Sequence, residues 1–433
     1  MTSATMKGLI LCTLLVYTIH ARTVEHIPKI SKRPPVSQDP GKPVDIIKPP
    51  ASGSKELDLA FIMDSTGSMS SYINSATQNI REIVEDIVAS SRADVRLALI
   101  EYRDHAPEDR TFVTRKHDFT NSVSTMKSWL NAARAQGGGD RPEAVADALY
   151  QTTKLSWRPE AAKISVLISD APPHGLVPSE DTSYPDGSPN GHDPMQIVGD
   201  LAQMGVTLYV IGCEPSIVPY KDFFMALAYR TGGQYVPLSV PRLLVNAITG
   251  GAQEELSLQK FEKDVEVELQ KAASAGGPIN KQQIATSLFR KLSKSGAKSK
   301  QLVRNNKALE GPSKTAKLLS VSTSMADVRK IFKKGTMPRS KFSRPSFRPS
   351  LKARGGISRL GGVASGPRSW KSKSFSSMMA PVSRMGLLDS RSGSGGLVEA
   401  SSSGDTLSTV ESGITIEQIN RLVEKGSSKL TKM

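Results

Sequence analysis

The chain has 433 residues, enough for two or three domains, yet only 38% of them are hydrophobic and 5% aromatic. This composition excludes a chain that folds along its whole length around large cores, so part of it is predicted to be non-globular. The net charge of +16 is uneven: residues 1–50 hold seven basic and three acidic residues, residues 51–250 hold 17 and 24, and residues 251–433 hold 33 and 14. An acidic domain flanked by basic segments is therefore expected.

Residues 1–21 have the pattern of a secretory signal peptide. Met6 and Lys7 precede an apolar run from Leu9 to Ile19, and Ala21 is a small residue at the expected cleavage point. The run is shorter than the ~20 apolar residues that span a bilayer, so we predict a secreted or extracellular protein with no transmembrane segment. Two features of the sequence do not support secretion. The chain has no Asn-X-Ser/Thr sequon, and cleavage would leave only Cys213, so no intrachain disulfide could form. The alternative is an uncleaved, buried helix in a cytoplasmic protein.

Residues 22–55 are rich in proline and lack a periodic apolar pattern, which predicts an extended linker. From residue 56 onward, short apolar runs alternate with helical patterns. The first helix, Tyr72 to Ala89, has one apolar stripe with charged residues opposite, as expected of a helix packed on a sheet. The predicted strands are Leu57–Met63, Asp94–Tyr102, Lys163–Ser169 and Val206–Gly212, and the later helices are Val123–Ala135, Arg141–Leu155, Pro194–Met204, Tyr220–Thr231 and Pro241–Ala272.

This alternation predicts an α/β fold with a doubly wound, mostly parallel sheet and helices on both faces. The predicted domain covers residues 56–250, and residues 251–275 form its C-terminal helix. Residues 276–433 are dominated by Ser, Gly, Lys and Arg, which predicts a largely disordered basic tail. Three stretches of the tail have helical spacing of apolar residues and are candidate docking helices: Gln282–Leu292, Met325–Phe332 and Ile416–Val423.

A group of oxygen-bearing side chains is expected at the carboxyl edge of this sheet. Asp64, Thr66 and Ser68 follow the first strand at intervals of two residues, Asp170 ends a later strand, and Asp140 follows a run of three glycines. In open α/β sheets, ligands bind in the crevice outside the carboxyl ends of the strands. Three carboxylates and two hydroxyls form an all-oxygen site, which suits Mg²⁺, with Mn²⁺ or Ca²⁺ as alternatives. The sequence therefore predicts a divalent-metal site at this edge.

Each of these residues also has a purely structural interpretation. Asp140 with Glu143 fits a helix capping box, Ser68 fits a helix cap, and Asp170 fits a turn before two prolines. The metal interpretation is favoured because all of them are expected at strand ends of one sheet.

The pattern Asp64-X-Thr66-X-Ser68, with Asp140 and Asp170 in later loops, resembles the metal-ion-dependent adhesion site of von Willebrand factor A domains. The resemblance covers roughly residues 56–260. The stretches GGGDRPEA at 137–144 and IGCEP at 211–215 are most similar to the subgroup found beside atypical alpha-kinases and in hemicentin-like proteins. The resemblance implies that these five residues hold the metal and that an acidic residue of a protein partner completes its coordination.

The sequence departs from the integrin-type pattern at Asp140, because integrin-type domains commonly have Thr in this second loop. The additional negative charge is expected to tighten metal binding and to alter the preferred partner. The resemblance implies binding rather than catalysis, and we identify no catalytic residues. The alpha-kinase catalytic domain is not expected in the tail, which has no cysteine or histidine for the zinc site of that fold.

Three weaker signals have structural interpretations that we favour. The acidic loop Glu180 to Asp193 lacks the spacing of an EF-hand and is predicted to be a solvated surface loop that affects partner choice. Cys213 is predicted to be an inert buried thiol, since nothing basic in the local sequence would lower its pKa. The histidines, among them His105, His174 and His192, lack metal-ligand spacing.

The basic tail predicts nonspecific attraction to a polyanionic surface, such as a sulphated glycan, anionic lipid or acidic protein. It has few aromatic residues and no RNP-like or zinc-finger pattern, which argues against sequence-specific nucleic-acid binding. The leading hypothesis is therefore a secreted protein that binds a macromolecular partner through a metal ion. The alternative is an intracellular regulatory or scaffolding protein of alpha-kinase-type ancestry that lacks the kinase domain.

Overall fold

A computed structural model describes residues 55–337 and 404–430. Six strands form the central sheet in the order β3-β2-β1-β4-β5-β6. All neighbouring strands are parallel except β3, which runs antiparallel to β2 at one edge. The strands are β1 Glu56–Asp64, β2 Asp94–Tyr102, β3 Thr114–Thr120, β4 Ala162–Ser169, β5 Val206–Cys213 and β6 Tyr235–Leu238.

Helices cover both faces of this sheet and enclose two separate hydrophobic cores. One core holds side chains of α1, α2 and α6, and the other holds side chains of α3, α4 and α5. The predicted α/β class, with a doubly wound and mostly parallel sheet, is therefore confirmed. The helices are α1 Ser70–Ser91, α2 Val123–Ala132, α3 Val145–Thr152, α4 Pro194–Gln203, α5 Lys221–Arg230 and α6 Leu244–Leu258.

The local sequence explains why β1 and α1, which lie on either side of the predicted site in the chain, form a strand and a helix. Strand β1 is buried at every position after Glu56, because helices pack on both of its faces. Helix α1 buries Ile73, Ile80 and Ile87 along one stripe, the spacing that places side chains on one helical face. It ends where Arg92 adopts a left-handed conformation, with φ of 54°.

Further elements follow the central sheet. The strands β7 Lys298–Arg304, β8 Lys307–Ala308 and β9 Leu407–Gly413 form an antiparallel sheet in the order β8-β7-β9. A third hydrophobic cluster joins α7, α8 and α11 through side chains such as Leu269, Leu288 and Leu422. The helices are α7 Glu262–Ser274, α8 Lys281–Lys294, α9 Lys314–Ser320, α10 Met325–Ile331 and α11 Ile416–Leu430.

The predicted basic tail, residues 276–433, includes ordered stretches among its described residues. Residues 281–337 and 404–430 contain helices and strands, and the three candidate docking helices correspond to α8, α10 and α11. The predicted single helix Pro241–Ala272 is divided by a 3₁₀ turn at Gln259–Phe261 into α6 and α7. The reason is tertiary: hydrophobic and ionic contacts between distant segments order sequences whose local composition favours disorder.

Residues 1–54 and 338–403 lie outside the described residues, together with 431–433. The predicted signal peptide and nearly all of the proline-rich linker are among them. Within the described ranges, none of the helices combines the length and the apolar character that a membrane span requires.

Candidate metal site

The end of β1 places Asp64, Thr66 and Ser68 at the carboxyl edge of the sheet. Asp64 is completely buried, and its Oδ1 accepts hydrogen bonds from the Thr66 backbone N–H at 2.9 Å and from the Thr66 hydroxyl at 2.6 Å. The hydroxyl oxygens of Thr66 and Ser68 are 3.5 Å apart. The other oxygen of Asp64, Oδ2, is buried and has no hydrogen-bond partner among the described residues. It is therefore available to a cation or a proton.

Backbone hydrogen bonds join the loops that carry the other predicted ligands to this loop. Gln136 N–H donates to Ser65 O at 3.0 Å, and Gly67 N–H donates to Gly137 O at 3.2 Å. Glu143 N–H donates to Pro172 O at 2.9 Å, which ties the loop after Gly137 to the loop after β4. These bonds hold the three loops beside one another, as the strand-end argument predicts.

Gly137 illustrates how closely these loops pack. Its φ is +80°, a conformation that side chains rarely adopt, and a Cβ there would lie 1.8 Å from Asp109 Oδ2. The glycine run therefore allows the loop to pass directly against the acidic loop after β2.

Ser68, Asp140 and Asp170 line one open cavity of ≈ 440 Å³, together with Arg141, Glu143, Ala171, Ser216 and Met337. Ser68 hydrogen-bonds Asp170, and both carboxylate oxygens of Asp140 are buried with no partner among the described residues. The structure thus brings three of the predicted ligands to the cavity. Asp64 and Thr66 are buried next to it and are connected to it through Ser68.

The carboxylates of this region destabilise one another's charged forms. Burial, followed by the charge of Asp170, raises the pKa of Asp64 from 3.8 to about 7. Burial and the neighbouring Asp104 raise the pKa of Asp140 to about 6. Burial raises the pKa of Asp170 as well, although its hydrogen bond from Ser68 opposes the change. Negative charge concentrated in this way favours a bound cation or protonation.

Glu143 and Asp104 belong to this region and were missed as site residues in the sequence. Burial, followed by the charges of Asp64, Asp104, Asp140 and Asp170, raises the pKa of Glu143 to about 11. Its Oε2 and Asp104 Oδ2 are buried without partners in the described part of the chain.

The sequence interpretation of Glu143 as a capping residue does not hold, because α3 begins at Val145 and its N-cap, Ala144, makes no side-chain cap bond. A usable signal existed for Asp104, which lies two residues beyond the end of β2, at the edge of the sheet where Asp64 ends β1. The strand-end rule, applied to all parallel strands, would have found it.

A network of histidines and aspartates fixes the loop of residues 171–193 next to the site. His174 bonds Asp104 Oδ1 through Nε2 at 2.6 Å and Asp181 Oδ2 through Nδ1 at 3.0 Å. Asp181 is buried and also accepts the N–H of Gly175 at 2.8 Å. The predicted solvated loop is therefore anchored by a buried carboxylate. Sequence spacing could not reveal this, since Asp104 is 70 residues from His174.

The donor set fits a hard cation but does not form a closed cage. Within residues 55–337 and 404–430, no three His, Cys, Asp or Glu side chains are arranged to hold a metal by themselves. Carboxylate and hydroxyl oxygens are the ligands that Mg²⁺ and Ca²⁺ prefer, and Mg²⁺ usually retains several waters. A cation here would thus be shared among carboxylates, the hydroxyls of Thr66 and Ser68, and water or a group of a partner.

Residues 58–176 match the family model of the von Willebrand factor A domain. The match includes the loops after β1 and β4 and the Gly137 loop, and it agrees with the sheet order and the helices on both faces. The chain contains a von Willebrand factor A domain.

Among its relatives is the alpha-protein kinase vwkA of Dictyostelium discoideum, 31% identical over 158 residues, which are 36% of this chain and 25% of the kinase. The chain thus matches about a quarter of that relative's length.

Solved structures to which the chain has some similarity include the pilus adhesin SpaC of Lactobacillus rhamnosus GG and a von Willebrand factor type A protein of Catenulispora acidiphila. The SpaC match has 10% identity and a TM-score of 0.37 over 48% of this chain and 31% of SpaC. The Catenulispora match has 16% identity and a TM-score of 0.31 over 47% and 43% of the two chains.

Proposed function

We propose that the von Willebrand factor A domain of this chain binds a macromolecular partner through a divalent cation. The supporting observation is the set of buried carboxylate oxygens on Asp64, Asp140 and Glu143 that have no hydrogen-bond partner in the described part of the chain, near the hydroxyls of Thr66 and Ser68. Buried charge that is not neutralised is unfavourable, and a cation would relieve it. The domain's membership in an interaction family agrees with a binding role.

In this proposal the cation is held by Asp64, Thr66, Ser68, Asp140 and Asp170, and Mg²⁺ is the first candidate, with Mn²⁺ or Ca²⁺ as alternatives. A bound cation would supply positive charge to which an anionic group could bind. Neighbouring side chains orient the ligands: Thr66 orients Asp64 by two hydrogen bonds, and Ser68 orients Asp170. An acidic side chain of a protein partner would enter the cavity and complete the coordination. The proposed role is binding, not catalysis.

The first test is metal uptake by the full chain. Isothermal titration with Mg²⁺, Mn²⁺ and Ca²⁺ is expected to show one site, and Asp64→Ala is expected to remove it. Asp86→Ala is the matched control, because Asp86 lies exposed on α1. Absence of uptake of all three cations by a folded wild-type chain would end the metal proposal.

The second test concerns the partner. A pull-down with the tagged chain in Mg²⁺ is expected to retain a protein that is released by EDTA and recaptured when Mg²⁺ is added back. The Asp64→Ala chain should not retain that protein, whereas Asp86→Ala should. Retention in EDTA would show that the partner is not bridged by a metal.

We propose a secreted or extracellular location on the basis of residues 1–21 alone. The second candidate is an intracellular regulatory or scaffolding protein, and it is supported by the similarity to an alpha-protein kinase. Sequencing the mature N-terminus from expressing cells separates the two. Cleavage after residue 21 supports secretion, and an intact N-terminus on a cytoplasmic protein supports the alternative.

We also propose that the basic C-terminal part of the chain adds electrostatic attraction to a polyanionic surface. Residues 251–433 hold 33 basic and 14 acidic residues. Binding to heparin-agarose is expected to weaken steeply as salt rises. A chain that lacks residues 338–403, which hold 12 basic and two acidic residues, should elute at lower salt, and an unchanged elution would contradict this contribution.

A further inference from the structure

The segment Phe332–Met337, which follows α10, lies along the rim of the metal-site cavity. We call it the rim segment. Lys334 Nζ donates to Glu180 Oε1 at 2.6 Å and lies 5.4 Å from the centroid of the Tyr220 ring. Gly335 N–H donates to Pro219 O at 2.8 Å. An ion pair with Glu180 and a backbone hydrogen bond to Pro219 therefore hold the rim segment against the residues that precede α5.

Helix α10 anchors the beginning of the rim segment to the loop of residues 171–193. The Met325 N–H donates to Asp193 Oδ2 at 2.7 Å, and Arg329 donates to Gly175 O at 3.1 Å. Phe332 packs against the core that holds α3, α4 and α5. The path of the chain from α10 to the cavity is thus determined by contacts on both sides.

The rim segment ends at Met337, which lines the cavity that Ser68, Asp140 and Asp170 share. Met337 is 47% exposed, so its thioether presents apolar surface to the cavity and to solvent. The remaining space of ≈ 440 Å³ lies within the range of ~300–1,000 Å³ typical of ligand pockets. Met337 is thus one wall of the cavity and does not fill it.

The walls differ in chemistry. The lining includes the acidic Asp140, Glu143 and Asp170, the basic Arg141, and the apolar Ala171 and Met337. A partner that placed an acidic side chain in this cavity would bring a neighbouring residue to the same cavity that Met337 lines.

We propose that the rim segment is part of the partner-binding surface and selects an acidic residue that has an apolar residue next to it. This inference rests on the proposed metal-dependent function and adds the class of ligand. Its physical basis is that burying apolar surface against Met337 is favourable, whereas a polar neighbour would lose solvation there. Methionine suits this role because its flexible side chain adapts to different apolar partners.

The first experiment tests the position of Met337 with paramagnetic Mn²⁺. In the full chain labelled at methionine methyl groups, Mn²⁺ is expected to broaden the signals of Met69, next to Ser68, and of Met337. Substitutions Met69→Leu and Met337→Leu assign the two signals. Lys334→Glu should reduce the broadening of Met337 alone, and Lys334→Glu with Glu180→Lys should restore it.

Lys333→Glu is the matched control, since Lys333 is exposed and forms no ion pair with any residue of 55–337 or 404–430. Broadening of Met69 without Met337 overturns the inference and leaves the metal site intact. Broadening of neither signal contradicts the proposed function itself.

The second experiment tests selection with two six-residue peptides, each with one glutamate followed by leucine or by serine. In Mg²⁺ the wild-type chain is expected to bind the leucine peptide at least roughly fourfold more tightly, the factor for one buried methylene. Met337→Ser should remove this preference without unfolding the protein, because the side chain is half exposed. Equal affinities for the two peptides in the wild type, or an unchanged preference in Met337→Ser, overturns the inference.

Discussion

Asp64 has an ionisable carboxyl group in a completely buried position, and burial disfavours its charged form when no metal is bound. Its side chain is completely buried, and its pKa is raised from 3.8 to about 7 by burial and by Asp170. The folded protein therefore keeps the Asp64 proton at pH values where the unfolded chain has lost it. Stability consequently falls as the pH rises from about 4 through about 7.

We predict that Asp64→Asn raises the free energy of unfolding at pH 8 by about 4 kcal/mol in EDTA, because the pKa of Asp64 is about three units higher in the folded protein than the usual value and each unit corresponds to about 1.4 kcal/mol. At pH 4 the same change should have little effect. Urea denaturation at the two pH values measures the difference, with Asp86→Asn as the control. Equal stability of wild type and Asp64→Asn at pH 8 would show that burial does not destabilise this charge.

Asp147 is the opposite case, because its hydrogen bonds outweigh its burial. Burial raises its pKa, but bonds from His105 and Asn190 lower it to about 2. His105 Nε2 lies 3.0 Å and His192 Nδ1 2.8 Å from its two oxygens, and Asn190 donates at 2.7 Å. The lowered pKa means that this stabilisation is present above about pH 4 and is lost as the pH falls towards 2.

We predict that Asp147→Asn lowers the free energy of unfolding at pH 7 by about 2 kcal/mol and has much less effect near pH 2. The exposed Asp200→Asn is the matched control on α4. Urea denaturation at both pH values is the measurement. A loss of similar size at pH 2 and pH 7 would mean that shape, not charge, determines the effect.

For single residues, the sequence predicts the candidate ligands at strand ends. It misses the site residues whose positions depend on how the loops fold. Asp64 and Asp170 were identified because the ends of parallel strands share one edge of a sheet. Glu143 was read as a cap, since the start of α3 could not be located to within four residues from apolar spacing. His174 was set aside because its partners are separated from it in sequence but not in space.

Among the elements of the central domain, the sequence predicts the long strands and helices with buried apolar patterns, whereas it misses β6, which is buried but only four residues long. The strand β3 has the sequence TRKHDFT and is largely exposed, so it has no apolar alternation to identify it. The strands β7 and β9 are rich in charged and hydroxyl residues and are paired along seven residues. Their pairing depends on contacts between positions about 110 residues apart, which local patterns do not contain.

Helix α11 is held by a buried ionic cluster on α6. Arg421 is 3% exposed and donates to Glu254 at 3.1 Å, to the Tyr209 hydroxyl at 2.8 Å and to Gly232 O at 3.0 Å. Lys425 is paired with Glu255 and with Glu262. These charges balance each other only when α11 is docked, so the helix and its acceptor depend on one another.

We predict that Arg421→Met lowers the free energy of unfolding by about 3–5 kcal/mol, because Glu254 then remains buried without its cation. The double substitution Arg421→Met with Glu254→Gln should recover part of this loss, as a double-mutant cycle would show. Arg290→Met on the exposed side of α8 is the control. A loss below 1 kcal/mol would mean that α11 is not tightly docked.

In the molecule as a whole, the C-terminal segment of residues 404–430 packs against elements that are far from it in the sequence. Residues 404–430 supply β9 to the second sheet and α11 to the third hydrophobic cluster, with Ile419, Leu422 and Val423 buried. Strand addition and an amphipathic helix are two ways in which separate peptides are also recognised. The C-terminal segment thus has the contacts of a bound ligand that is covalently attached.

We predict that residues 1–337 and 404–433, co-expressed as separate polypeptides, form a complex that survives size-exclusion chromatography. The seven-residue register of β9 with β7 and the buried charges of α11 provide specific contacts, although separation removes the high effective concentration of a linked segment. Arg421→Met in the shorter polypeptide should abolish co-purification, whereas Glu411→Gln on the exposed face of β9 should not. If wild-type polypeptides elute separately while each remains soluble, the docking of the C-terminal segment depends on the covalent connection, and the contacts described for α11 are too weak to hold it alone.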